Sequence, residues 1–67
     1  MQGHVTHGVE DYYRELISDY PSGEKLPSER EVMAELGVCR STVRIVLTRL
    51  AAERLVQPRH GKGYYTV

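Results

Sequence analysis

The sequence is short of several things, and each shortage removes a class of function. It holds one cysteine, Cys39, so no internal disulfide can staple it and nothing points to an oxidising compartment. No apolar run approaches the roughly 20 residues that span a bilayer, and Met1–Gly8 lacks the hydrophobic segment of a secretion signal. The chain therefore reads as cytosolic. No Cys–His or Ser–His–Asp constellation, pocketed carboxylate pair or phosphate-binding loop emerges, so neither catalysis nor a cofactor is expected. His4 and His7 sit in a polar, glycine-containing leader without further ligands, so residues 1–8 read as a frayed terminus and not as a metal site.

Net charge is also missing. Nine Lys and Arg balance nine Asp and Glu, which on its face argues against a nucleic-acid partner. The two halves differ sharply, however. Residues 1–35 hold eight acidic residues against three basic ones, a net of −5, whereas residues 36–67 hold six basic residues against Glu53 alone, a net of +5. Such polarity places any contact with DNA on the second half. With 67 residues the chain makes one domain with a modest core.

The parts present are few and ordered. Val9, Tyr12, Tyr13, Leu16, Ile17 and Tyr20 recur at helical spacing, which predicts an amphipathic first helix ended by Pro21-Ser22-Gly23. At this spacing the tyrosines belong to a core and not to a stacking platform. Lys25-Leu26-Pro27 is extended, because the residue before proline avoids the helical region. Ser28-Glu29-Arg30-Glu31 is a capping box, opening a second helix that buries Val32, Met33 and Leu36 and stops at Gly37.

Gly37-Val38-Cys39 has the length of the turn in a helix-turn-helix. The third helix spans about residues 40–53, with Val43, Val46, Leu47 and Leu50 inward. Arg40, Ser41, Arg44 and Thr48 lie on another face, suited to guanine edges and phosphates. Ion pairs to the acidic second helix are the alternative role for these arginines. Leu55–Arg59 and Tyr64–Val67 then form strands about a basic glycine turn, His60-Gly61-Lys62-Gly63.

This succession resembles the winged helix-turn-helix DNA-binding domain of GntR-type bacterial transcription regulators. In that family a Leu-Pro-Ser-Glu-Arg run, a Gly-Val-Ser-Arg turn and a glycine-basic-glycine wing occur in this order. The likeness covers residues 9–67 and implies a mainly α domain of three helices with a small β-hairpin. It implies sequence-specific binding of double-stranded DNA by a transcription regulator, of the repressor kind, with the third helix in the major groove and wing 59–63 in the minor groove. Matching positions assign guanine reading to Arg30 and Arg40, backbone or nearby base contacts to Ser41, Thr42 and Arg44, and wing contacts to His60, Gly61 and Lys62.

The family pattern further implies a homodimer on an inverted-repeat operator, since a two-fold dimer demands a two-fold site. The family's domain is usually followed by an effector-binding, dimerising domain, and in one branch by an aminotransferase-like domain binding pyridoxal phosphate. A piece of a longer regulator and a minimal DNA-binding protein both stay open. So does a winged-helix protein-interaction module, against which the basic second half argues.

Four positions depart from the family. Cys39 stands where Ser or Thr usually caps the third helix, Met33 where a small residue is usual, Ile45 where an acidic or small one is, and Arg54 where a glycine usually ends the helix. The expectations are a weakened cap, wider packing, a partly exposed isoleucine and a helix without its easiest terminator.

Overall fold

The computed structural model describes the backbone of residues 2–67 and the side chains of residues 8–67. Three helices, α1 (Gln2–Asp19), α2 (Glu29–Leu36) and α3 (Arg40–Ala52), precede an antiparallel hairpin of β1 (Val56–Arg59) and β2 (Gly63–Thr66). The predicted elements are all present. One boundary is corrected: α1 begins at Gln2, whereas the apolar stripe that signals it begins at Val9. Periodicity reports only the part of a helix that packs, so the turns before Val9 left no trace in the pattern.

Val9 and Tyr13 of α1, Leu26, Val32 of α2, the four apolar residues of α3's inner stripe and Val56 of β1 are buried together. Met33 is part-buried and packs against this cluster. The departure at that position is absorbed by a flexible side chain that fills irregular space. Polar contacts reinforce the α1–α3 seam. The Glu10 carboxylate accepts from Arg14 at 2.9 Å and from Arg49 at 3.0 Å, while Arg14 also reaches Glu53 at 3.0 Å. Hydrogen bonding by Arg14, joined by that of Arg49, outweighs the opposing desolvation and lowers the Glu10 carboxyl below its usual range.

The hairpin is fastened to the α1–α2 connection. Its register pairs Val56 with Thr66 and Arg59 with Gly63. The other edge of β2 is taken by the extended segment before Pro27: Leu26 N–H donates to Tyr64 C=O and Thr66 N–H to Glu24 C=O, both at 2.9 Å. The buried Thr66 hydroxyl donates to Pro21 C=O at 2.6 Å and accepts from Glu24 N–H at 2.9 Å. Pro58 falls on β1, the edge strand, where a missing N–H is tolerated.

The end of α3 solves the problem posed by Arg54. Leu55 N–H donates to Leu50 C=O and Arg54 N–H to Ala51 C=O, both at 3.0 Å, which is a complete Schellman closure. The motif needs a left-handed residue, and Arg54 takes φ of 63° in glycine's place. For a residue with a Cβ that conformation costs about 1–2 kcal/mol. Arg54→Gly is therefore expected to raise unfolding stability by about 1 kcal/mol in denaturant melts, after the glycine's extra unfolded-state entropy is set against the relief. A loss of that size would contradict this account of the helix end.

Candidate nucleic-acid interface

The interface begins at the start of α2. Ser28 is extended, with φ −67° and ψ 161°. Its hydroxyl accepts from Glu31 N–H at 3.1 Å, and the Glu31 carboxylate accepts from Ser28 N–H at 2.8 Å. The capping box is thus complete, and these bonds hold the Glu31 carboxyl below its ordinary range. Arg30 follows one step inside the helix and is exposed. Among the described residues it has no ion-pair partner within 4 Å, so pairing with Glu29 or Glu35 does not explain it.

Gly37, at φ 67° and ψ 38°, ends α2 in the left-handed conformation expected of it and turns the chain into α3 within three residues. The inner arc of α3 comprises Thr42, Val43, Val46, Leu47 and Leu50, all buried. Burial of that arc forces Arg40, Ser41, Arg44, Ile45 and Thr48 outward, where all are exposed. Ile45 is 51% exposed, as its departure from the family pattern suggested. Thr42 differs from these residues. It is only 8% exposed, because its place two residues after Arg40 turns it toward the body of the domain.

The thiol that replaces the usual cap makes no side-chain cap hydrogen bond at the start of α3. Cys39 Sγ instead lies 3.2 Å from the Ser41 hydroxyl and 3.3 Å from that of Thr42. Hydrogen bonding by Ser41, then Thr42, draws the exposed thiol down to about 7. The side-chain cap bond that Ser or Thr would supply is thus absent, and the thiol faces two hydroxyls instead.

The wing completes the surface. Arg59, His60, Gly61, Lys62 and Gly63 are exposed, and Lys62 N–H closes the turn onto Arg59 C=O at 2.9 Å. Gly61 and Gly63, at φ 70° and 107°, supply conformations that side chains resist. The Arg59 guanidinium stacks 4.2 Å above the Tyr65 ring, stiffening the wing's base. A groove of about 260 Å³, lined by Ser28, Glu29, Leu47 and Tyr64 among others, lies between the start of α2 and the hairpin.

Sequence reasoning missed Glu29. Its carboxylate accepts from Arg44 Nε at 3.0 Å and stands 3.8 Å from Arg40 Nε. The ion-pair alternative for these arginines is thus realised, through one residue. The arginine side chains remain 53% and 62% exposed, and such pairs are worth about 0–1 kcal/mol. The helical spacing of α2 hinted at the contact, but the crossing that brings Glu29 over α3 depends on packing.

No group of three or more metal-ligating side chains clusters among the described residues. His4 and His7 fall outside the described side chains. No helix is long and apolar enough to cross a membrane.

Comparison with known proteins agrees with this geometry. A family model described as bacterial regulatory proteins, gntR family, matches residues 5–66. The chain is similar to the Uxu operon regulator of Haemophilus influenzae, at 44% identity over 48 residues, covering 72% of this chain and 18% of the relative. It is 46% identical over 56 residues to the fatty acid metabolism regulator protein of Edwardsiella ictaluri, covering 81% of this chain and 23% of the relative. The chain thus spans about a fifth of the length of these curated relatives.

Among solved structures, the DNA-binding domain of AraR in complex with operator ORR3 superposes with a TM-score of 0.89 at 25% identity, covering 94% of this chain and 78% of that one. A GntR protein of Streptococcus agalactiae gives 0.78 at 36% identity, over 91% and 31% of the two chains.

The thiol environment makes a direct prediction. Alkylation of Cys39 by iodoacetamide, followed against pH, is expected to reach half its limiting rate near pH 7, with the reactive thiolate above that pH. Ser41→Ala is expected to move the midpoint up toward the ordinary cysteine value of about 8.5. An unmoved midpoint would show that the hydroxyl does not set it.

Proposed function

The chain belongs to the GntR family of bacterial regulatory proteins, and on that premise we propose that it is the DNA-reading domain of a transcription regulator, most simply a repressor. It acts in the cytosol by binding and not by catalysis. The supporting observation is exposure: Arg30, Arg40 and Arg44 from two helices and the wing's His60, Gly61 and Lys62 are all exposed, while the opposite arc of α3 is buried. The likeness to a domain solved in complex with its operator favours this reading over a protein-interaction module.

In the proposed complex α3 lies in the major groove. Arg30 and Arg40 each fork onto a guanine, a contact worth about 1–3 kcal/mol of discrimination. Ser41 and Arg44 engage the sugar–phosphate backbone, and the wing enters the minor groove. Thr42, being buried, serves here by ordering Cys39 and the turn. Two copies occupy an inverted repeat, matching the two-fold symmetry of a dimeric regulator.

A salt titration and a site selection test this reading. Log K against log[salt] is expected to fall with a slope of about −3 to −5, and Arg44→Ala to flatten it by about one while weakening all sequences alike. Arg30→Ala and Arg40→Ala are each expected to relax preference at one guanine of the half-site and to leave binding of random duplex largely in place. A salt-independent Kd, or unchanged selected sites in both variants, would overturn the assignment.

A further inference from the structure

We propose that Glu29 sets the selectivity of the interface by competing with DNA for Arg40 and Arg44, as a positioning residue and not as a contact; this rests on the DNA-binding reading above. The observation is a carboxylate where an interface for a polyanion should least tolerate one. Glu29 opens α2 beside the capping box, and its side chain is 24% exposed. One of its oxygens accepts from Arg44 Nε at 3.0 Å, and the other stands 3.8 Å from Arg40 Nε.

The two arginines stand one turn apart on α3, so a single carboxylate can address both. Engagement through Nε leaves the Nη donors of a guanidinium available, since the group carries five N–H donors in a fixed fork. A guanine edge can then be read without giving up Glu29. A phosphate reached by swinging the whole guanidinium outward costs the pair and also meets Glu29's own negative charge. Arg44 gives up its pair on any duplex, so the difference between sequences rests on Arg40, whose engagement of the backbone the carboxylate penalises more than its reading of a guanine. The carboxylate's effect is to lower affinity for random duplex and to widen the gap to a preferred site.

Two variants separate this role from simpler ones. Glu29→Gln removes the charge, and Glu29→Asp keeps it at the helix start but draws the carboxylate back from both arginines by one methylene. Each is titrated against a random-sequence duplex of about 20 base pairs and against the site selected by the unaltered chain, with thermal melts run in parallel.

Glu29→Gln is expected to bind random duplex about threefold to tenfold more tightly and to steepen the salt slope by up to one, with a smaller gain on the selected site. The ratio of the two affinities falls. Glu29→Asp is expected to lose selectivity as well. If Glu29→Asp keeps the full ratio, or if Glu29→Gln changes only the melting temperature, the residue serves α2 or acts by charge alone and the proposal is overturned. Absence of duplex binding by the unaltered chain would overturn both this inference and the function on which it rests.

Discussion

Everything in this domain depends on the burial of one arc of α3. Val43, Val46, Leu47 and Leu50 are each no more than 1% exposed, and α1, α2 and β1 all pack onto the cluster they form. These four are the largest share that any one element gives to the buried core, so the rotation of α3 about its axis is not free. Once the arc is inward, Arg40, Ser41, Arg44 and Thr48 must face water. The candidate recognition surface is thus a by-product of the core: a substitution that shifted the stripe by one position would carry the arginines with it.

Charge is arranged around the same helix. Sequence alone shows an acidic half and a basic half, and folding lays parts of them against each other. Glu10 and Glu53 take up Arg14 and Arg49 along the α1–α3 seam, far from the turn. Glu29 holds Arg40 and Arg44 beside it. Arg30, Arg54 and Lys62 have no ion-pair partner among the described residues. A chain of zero formal charge in this way keeps exposed cations without ion-pair partners at the start of α2 and on the wing.

Much of this was legible before any coordinates. The capping box, the glycine that ends α2, the inner stripe of α3 and the wing are local devices, each written within a few residues, and each appears where it was read. What was not legible depends on crossings between elements. The meeting of Glu29 with α3, the inward turn of Thr42 and the pairing of residues 24–26 with β2 all require knowing which surfaces touch. Arg54 shows a different limit. Its side chain argues against the left-handed turn that it nevertheless adopts, because two backbone hydrogen bonds and the packing of Leu55 hold it there.

The central claim is that one contiguous face, built by the burial of α3, meets DNA. Chemical-shift mapping tests it most directly, with backbone amides followed as duplex is titrated into the labelled chain. Perturbations are expected to gather at residues 28–31, 39–48 and 59–63, with the outer face of α1 around Glu15 and Ser18 undisturbed. Shifts centred on α1, or scattered evenly over the domain, would contradict the account.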